Sequence, residues 1–258
     1  MIYYINCKDK EKISKALKLC GNSADIYSCR ILCLIESYKD YDGMISLWIQ
    51  YDQNNYPTAV IIKYGSDITL SFGENADIDE IREFIALVGA SSVLSRIKLF
   101  DGSESGIIMR LAGKKTDNRR NNNPDVDFSP DLSAVHKLLR VCSGKGFQCP
   151  SYEDFILDTS HKLRHGCAEC CAVMSGDELL SYAMTAAMTD KSAIIGAVCT
   201  RPEYRGNGYG SVCVTYLIDR LGNKEIFIMR EREENESFYK KLGFENCGEF
   251  YIYRPSDL

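Results

Sequence analysis

The chain has 258 residues, of which 45% are hydrophobic, and it carries a formal net charge of −5. This length holds one large domain or two of ordinary size, with enough apolar residues for real cores. The acidic balance argues against sequence-independent nucleic-acid binding and is compatible with a cationic small substrate. No apolar run reaches the roughly 18 residues of a membrane span, and the first residues lack the basic region and apolar core of a secretion signal, so we expect a cytoplasmic protein without a membrane partner.

The chain contains twelve cysteines. In a chain of this length without an export signal, cysteines serve more often as reduced, small apolar side chains than as a disulfide framework. We therefore expect reduced cysteines that fill the cores.

The first half predicts, in chain order, an early helix, two paired strands, a third strand and a second helix. Ile13, Leu17 and Leu19 indicate the early helix, while Asp77 and Gly89 bound the second one. The predicted ranges after the early helix are 46–51, 58–63, 67–72 and 77–88. We expect an N-terminal α+β domain over residues 1–112.

A polar segment at 113–125 separates the two halves. It has four basic residues, a run of asparagines and a proline. This composition predicts a linker, with a basic patch for RNA or another anionic partner as the alternative. The second domain would then span residues 126–258.

The second half predicts two helices, a hairpin, a strand followed by a helix, and a short closing strand, helix and strand. Ser129 is the expected N-cap of the first helix, with Pro130 at its first position and Gly144 near its end. Ser151 opens a capping box at the start of the second helix, which ends by Gly166. The other predicted segments are the strands 167–174, 179–188, 193–200, 225–229 and 250–253 and the short helix 237–242.

The strand 193–200 runs into a glycine-rich turn and then into an amphipathic helix. Three glycines in the turn, Gly206, Gly208 and Gly210, remove side chains, so main-chain N–H groups can converge on an anion at the positive end of the helix dipole. Arg205 adds a fixed positive charge beside them. The spacing matches neither the dinucleotide fingerprint nor the nucleotide triphosphate loop, so it predicts a pyrophosphate site that requires no metal.

Two segments of the second half resemble the signatures of one family. Residues 205–210 fit the pattern Arg/Gln-x-x-Gly-x-Gly/Ala, and residues 235–244 are similar to a segment in which an Asn precedes a helix that carries a Tyr and closes with Gly-Phe. Both are signatures of the GCN5-related N-acetyltransferases (GNAT), and the resemblance covers about half the chain. It implies an α/β (α+β) fold with a mixed, mostly antiparallel sheet flanked by helices.

The resemblance implies acetyl-coenzyme A (acetyl-CoA) as co-substrate. A splayed strand would offer main-chain groups to the pantetheine arm of the coenzyme, and the glycine turn would hold its pyrophosphate. The implied cofactor-binding residues are Val198, Cys199 and Thr200 for the arm, Arg205, Gly206, Asn207, Gly208, Tyr209, Gly210 and Ser211 for the phosphates, and Asn235 from the second signature.

The N-terminal order of helix, hairpin, strand and helix is similar to a GNAT half without the glycine turn. We therefore expect residues 1–112 to form a degenerate, cofactor-free GNAT-like domain. The alternative is an unrelated α+β domain for substrate binding or dimerisation, which leaves a homodimer open.

Acetyl transfer needs a neutral amine nucleophile, stabilisation of a developing oxyanion and a proton for the leaving thiolate. By the family pattern Tyr239 would protonate the sulfur, because a phenol stays protonated at neutral pH; the alternative is that its ring only packs. The strand 193–200 has no carboxylate, so the expected base is Glu169, a lone acid in an apolar run where burial would make it more basic. A solvent-facing Glu169 and a water relay without a protein base stay open.

His161 and His165, with Cys167, Cys170 and Cys171, superficially resemble a zinc cluster. Adjacent residues of a strand point to opposite faces, so Cys170 and Cys171 cannot both bind one ion. We expect no metal. A catalytic cysteine stays an alternative, without a specific histidine partner in the sequence.

These patterns predict an N-acetyltransferase that moves an acetyl group from acetyl-CoA to a primary amine of a small molecule or peptide by direct attack. One alternative is a non-catalytic acyl-CoA sensor or partner-binding module, motivated by the missing strand carboxylate. Another is an acyltransferase that uses a longer acyl group.

Overall fold

The computed structural model describes residues 1–20, 25–113, 125–144 and 148–255. The predicted linker therefore lies almost wholly outside the described residues. Contacts divide the chain into two compact units, the first formed by Met1–Ile107 with Gly248–Leu258 and the second by Ile108–Cys247. The predicted domain ranges 1–112 and 126–258 stay a prediction.

The first unit contains one sheet with helices. Its elements are β1 (Ile2–Tyr4), α1 (Lys10–Cys20), α2 (Ile26–Tyr38), β2 (Ile45–Tyr51), β3 (Pro57–Tyr64), β4 (Asp67–Phe72), α3 (Ile78–Val88) and β5 (Ser92–Ser95). The strands are ordered β1-β2-β3-β4-β5. Neighbours are antiparallel except β4 and β5, which are parallel and joined through α3.

Strand β3 is buried on both faces. Val60 and Ile62 lie in the apolar cluster formed with α1 and α2, whereas Ala59 and Ile61 lie in the cluster formed with α3. Successive side chains of a strand point to opposite faces, so this division places a helix layer on each face of the sheet.

All the elements predicted for the first half are present. Leu17 is buried in α1, but Leu19 is 53% exposed, so Leu19 does not belong to the buried face as predicted. Sequence patterns missed α2 because its residues are buried nearly all round, which removes the contrast between an apolar and a polar face.

The second unit begins within β6 and ends within β12. The elements are β6 (Glu104–Leu111), β7 (Asp125–Asp127), α4 (Leu132–Cys142), α5 (Tyr152–Arg164), β8 (Cys170–Ser175), β9 (Glu178–Met188), β10 (Ser192–Thr200), a 3-10 turn (Pro202–Tyr204), α6 (Tyr209–Leu221), β11 (Glu225–Glu231), α7 (Glu236–Lys241) and β12 (Phe244–Tyr253). The sheet order in this unit is β6-β11-β10-β9-β8-β7. Strands β10 and β11 are parallel, while β7, β8, β9 and β10 are antiparallel neighbours.

The caps of α4 and α5 differ in how well the sequence predicted them. The Asp131 carboxylate accepts a hydrogen bond from Ser133 N and caps α4, so the predicted N-cap at Ser129 is wrong. Asp131 is adjacent to the first helical residue, where a carboxylate reaches the free N–H groups. Ser151 caps α5 as predicted, because its Oγ accepts from Asp154 N at 3.1 Å and donates to Asp154 Oδ2 at 2.7 Å.

Helices cover both faces of the second sheet. Val135 of α4 and Phe155 of α5 pack in one cluster with Cys170. On the opposite face, the Cys171 side chain contacts Cys213 of α6. The prediction that Cys170 and Cys171 point to opposite faces is thereby confirmed.

The two units have the same order of elements. Each runs strand, helix, helix, three strands, helix and strand, and in each the last two of these strands are parallel neighbours. The mixed, mostly antiparallel sheets flanked by helices confirm the predicted fold class, including the second α+β region at the N-terminus.

The cysteines whose side chains the structure describes form no disulfide bond with one another, and most are buried. In the described ranges, no helix is both long enough and apolar enough to cross a membrane.

Candidate active site

Strand β10 separates from β11 halfway along its length. The two strands pair as far as Ile195 and Ile228, and β10 then continues to Thr200. The register between β10 and β9 shifts after Gly196. In this bulge Ala197 has a φ of +48°, a left-handed conformation that is uncommon for a residue with a side chain. The second half of β10 thus turns one edge of its main chain away from β11.

The loop after β10 leads into a helix with an open N-terminus. Gly206 and Gly208 are left-handed, with φ of +83° and +85°, and a Cβ on Gly206 would meet open space. Gly208 is the N-cap of α6, and no side chain of the described residues caps this helix. First-turn N–H groups have no partner within a helix, so they remain available as donors at its positive end. This geometry fits an anion such as a pyrophosphate.

Side chains of the loop hold its shape. Asn207 Nδ2 donates to Tyr204 O at 3.0 Å, and the Tyr204 hydroxyl donates to Glu178 Oε2 at 3.0 Å. Arg205 is exposed, and its Nε donates to Thr200 O at 3.2 Å. The guanidinium is therefore anchored beside the helix N-terminus, where sequence reasoning expected a phosphate contact.

Gly210 has a different role from the other two glycines. A Cβ at this position would lie 3.3 Å from Thr200 Oγ1 and 3.7 Å from Phe238 Cζ. The Thr200 hydroxyl is itself held by Ser181 Oγ at 2.8 Å. The third glycine thus permits close packing of α6 against the end of β10.

Two of the three residues predicted for the pantetheine arm use their carbonyl groups within the protein. Ser181 Oγ donates to Cys199 O at 2.9 Å. Thr200 O accepts from Arg205 Nε and also from Cys142 Sγ at 3.4 Å. Val198 lies in the bulge and is partly exposed, which leaves its main chain as the simplest contact for a ligand.

The equivalent helix of the first unit closes its own N-terminus. Asp77 caps α3, and its Oδ1 accepts from Glu80 N at 3.0 Å. Asp79 and Glu80 add two more acidic side chains in the first turn. These carboxylates satisfy the helix dipole and would repel a pyrophosphate. The same position in the fold is thus open in α6 and occupied by acidic side chains in α3.

Tyr239 lies on α7 and is 9% exposed. Its ring packs edge-on against Phe238 and Phe244, with centroid distances of 4.9 and 5.9 Å. Burial raises the pKa of Tyr239 to about 12, so the phenol keeps its proton at neutral pH. Asn235, the N-cap of α7, has a φ of +58°, and its carbonyl accepts from Tyr239 N at 3.2 Å. The structure brings the two residues of the second signature into direct contact.

Arg230, which sequence reasoning missed, holds the loop that leads to α7. Its side chain is 3% exposed, and its Nη1 donates to the carbonyls of Glu231 at 2.9 Å and Arg232 at 2.5 Å. Its Nη2 lies 3.2 Å from Glu236 Oε2, and its Nε donates to Met109 Sδ. A buried arginine at the end of β11 therefore fixes the first turn of the helix that carries Tyr239.

Glu169 lies in an ion pair away from the coenzyme loop. Both Nε and Nη2 of Arg220 lie 2.8 Å from Glu169 Oε2. Arg220 is in the last turn of α6, about 18 Å along the helix axis from Gly208. The Glu169 main chain is bound to Thr185 on β9. These contacts engage the Glu169 carboxylate in an ion pair, which favours the water relay over Glu169 as the base; the assignment of Glu169 stays a prediction.

The two histidines that superficially resembled part of a zinc cluster lie side by side with tilted rings. The rings of His161 and His165 are 4.2 Å apart. Over the described ranges, no three His, Cys, Asp or Glu side chains come together as ligands of an ion.

Residues 132–244 match the model of the acetyltransferase (GNAT) family. No protein of curated function matched the sequence. Among solved structures, the chain is similar to a tandem GNAT protein from the clavulanic acid biosynthesis pathway, with 12% identity, a TM-score of 0.60, and coverage of 100% of this chain and 99% of that one.

Two further structures are similar over most of their length. A GCN5-related N-acetyltransferase from Kribbella flavida has 11% identity and a TM-score of 0.60, and 92% of this chain covers 97% of it. A GCN5-related N-acetyltransferase from Sphaerobacter thermophilus has 12% identity and a TM-score of 0.58, with 100% of this chain covering 97% of it. Residues 132–244 therefore match the GNAT acetyltransferase family, and the chain as a whole is similar in fold to a tandem GNAT protein.

Proposed function

We propose that the protein is an acetyl-CoA-dependent N-acetyltransferase whose acceptor is a primary amine on a small molecule or a peptide. The match to the GNAT family supports acyl-CoA-dependent acetyl transfer in general. The observation that carries the finer proposal is the separated end of β10, which leads directly into the uncapped N-terminus of α6.

The coenzyme would be held at two places. The first-turn N–H groups between Gly208 and Ser211 and the guanidinium of Arg205 would bind the pyrophosphate, since both supply positive charge to one anion. The main chain of Val198, on the open edge of β10, would bind the pantetheine arm. The bound coenzyme supplies an acetyl group activated as a thioester.

In the proposed reaction the acceptor nitrogen attacks the thioester carbonyl carbon directly. A carbon–nitrogen bond forms, the carbon–sulfur bond breaks, and main-chain N–H groups of β10 stabilise the negative charge on the oxygen. Tyr239 donates its proton to the leaving sulfur, because burial keeps this phenol protonated. The proton released by the acceptor nitrogen passes to water, since β10 carries no carboxylate.

Isothermal titration of the full-length protein with coenzyme A tests the binding site. We expect Arg205→Ala and Gly208→Val to weaken affinity by about ten- to a hundredfold, the size expected for a lost charge-assisted contact. Gly222→Ala is the matched control, because Gly222 is also left-handed and lies at the other end of α6. Equal affinity in all four proteins would refute the coenzyme site.

A panel of amines tests the reaction. Polyamines, amino acids, aminoglycosides and peptides with free N-termini are each mixed with acetyl-CoA, and free thiol is measured. Release that requires both an amine and the protein supports the proposal. Release with no amine of the panel would contradict an acceptor of this class.

A non-catalytic acyl-CoA sensor is the second candidate function. It is favoured by the absence of a carboxylate from β10 and by the ion pair that engages Glu169. A sensor binds coenzyme A in the titration but releases no thiol with any amine, so the two experiments together separate the candidates.

A further inference from the structure

Two thiols meet beside the proposed coenzyme loop. Cys142 is the last residue of α4, and its side chain forms a hydrogen bond with the Cys199 thiol of β10. Cys142 Sγ also lies 3.4 Å from Thr200 O and in hydrogen-bond contact with the Arg205 guanidinium. Cys199 is 9% exposed, whereas Cys142 is partly exposed and open to small reagents.

The hydrogen bond between the two thiols makes this pair chemically unequal. The hydrogen bond from Cys199 and the adjacent Arg205 lower the pKa of Cys142 to about 6, although burial acts in the opposite direction. The pKa of Cys199 is raised by its bond to Cys142 and by burial. A thiol with a lowered pKa in contact with a neutral thiol is an arrangement that favours disulfide formation.

A second thiol pair in the same domain lacks these features. Cys171 on β8 contacts Cys213 on α6, and both side chains are fully buried. The contact with Cys213 and burial raise the pKa of Cys171. This pair is chemically similar but closed to reagents, which makes it an internal reference.

We propose that Cys142 and Cys199 form an oxidisable thiol pair that closes to a disulfide with peroxide and that bound coenzyme protects. The protection rests on the proposed function; formation of the disulfide does not. The geometry that supports it is the contact of the two sulfurs under Arg205, next to the strand assigned to the pantetheine arm.

The oxidation proceeds in two balanced steps. The Cys142 thiolate attacks hydrogen peroxide, and with one proton it yields a sulfenic acid and water. The Cys199 thiol then attacks the sulfenic sulfur, which forms the disulfide and releases a second water. One peroxide is the oxidant of the whole sequence, because the sulfenic acid that it forms in the first step oxidises the second thiol, and two hydrogens are lost from the protein.

Bound coenzyme would oppose the first step. Its pyrophosphate would share the positive charge of Arg205 and place further negative charge near Cys142, and like charges disfavour a thiolate. The phosphates would also cover the exposed side of the thiol. Reactivity at Cys142 is therefore coupled to occupancy of the coenzyme loop.

Peptide mass spectrometry of the full-length protein tests the pair. The reduced protein is treated with hydrogen peroxide, with or without saturating acetyl-CoA, which has no free thiol of its own. We expect a cross-linked peptide containing Cys142 and Cys199, formed about tenfold more slowly when acetyl-CoA is bound. Dithiothreitol should reverse it.

Three variants sharpen this test. Cys142→Ser and Cys199→Ser should each abolish the cross-link, so a folding defect in one does not decide the outcome. Cys213→Ala, in the buried reference pair, should leave it unchanged. Failure to form the cross-link would overturn the proposal. An equal rate of cross-link formation with and without acetyl-CoA, when calorimetry shows that acetyl-CoA is bound, would overturn it as well. If acetyl-CoA does not bind at all, the proposed function fails while the cross-link without coenzyme still decides whether the thiol pair exists.

Discussion

Arg230 Nη2 and Glu236 Oε2 lie 3.2 Å apart and join the end of β11 to the first turn of α7. The same guanidinium donates to two carbonyls of the connecting loop. Arg230 therefore holds the segment that sets the position of Tyr239.

The first prediction concerns Arg230→Met, which leaves two loop carbonyls without a donor. We expect a loss of about 1–3 kcal/mol in the free energy of unfolding, measured by denaturant titration. We also expect kcat to fall while KM for acetyl-CoA changes little, because the proposed coenzyme loop is separate from this segment. The control is Arg254→Met, which removes an exposed ion pair with Glu104 and should cost less than about 1 kcal/mol. A rise of KM for acetyl-CoA with unchanged kcat would contradict a positioning role for Arg230.

The second prediction concerns Gly210→Val, which adds atoms where α6 contacts β10. Because Thr200 Oγ1 would lie 3.3 Å from the new Cβ and is held by Ser181, either this hydroxyl or the helix must shift. Overpacking of this kind costs about 1–3 kcal/mol. We expect a lower melting temperature and weaker coenzyme A binding by calorimetry. Unchanged affinity in a destabilised protein would show that the start of α6 does not position the ligand.

The third prediction concerns the acid. Tyr239→Phe should lower kcat by about a hundredfold and leave coenzyme affinity nearly unchanged, since only the proton donor is removed. A phenol donates while protonated, that is, below its pKa, and burial raises that pKa to about 12. Turnover should therefore show no decline from this group near pH 10, where an ordinary tyrosine titrates. A fall of the wild-type rate near pH 10 that is absent from Tyr239→Phe would contradict this assignment.

The fourth prediction concerns Glu169→Gln. The ion pair with Arg220 is partly exposed, so its loss should cost less than about 1 kcal/mol. We expect thiol release with an accepted amine to stay close to the wild-type rate at every pH. A large loss of kcat that becomes smaller at alkaline pH, where the acceptor amine is already neutral, would restore Glu169 as the base.

The sequence predicted the strand, the glycine turn and the helix after it well, because their signals are local. Gly206 and Gly208 take the left-handed conformations that only glycine adopts easily, and the strand before them and the helix after them are contiguous in the chain. The pattern also distinguished α6 from α3, since Asp77 caps α3 with its own carboxylate.

The remaining features depend on contacts between residues distant in the chain. Arg220 is 51 residues from Glu169, so no local pattern could show that their side chains pair. Arg230 resembles any surface arginine in sequence, and only the tertiary fold buries it. Cys142 and Cys199 are likewise brought together by the packing of α4 against β10, and the bulge at Ala197 has no residue signature, because alanine seldom adopts a positive φ.

The contrast between a capped α3 and an open α6 has a consequence for thermal denaturation. An anion that binds the uncapped N-terminus of α6 raises the free energy of unfolding of that unit. Helix α3 is already capped by its own aspartate, so the same ligand is not expected to stabilise it. Coenzyme at a hundred times its dissociation constant would add about 2.7 kcal/mol to the half of the chain that binds it. Scanning calorimetry with increasing coenzyme should therefore shift the melting of residues 108–247 and leave that of the first unit in place, so that the duplicated architecture melts asymmetrically.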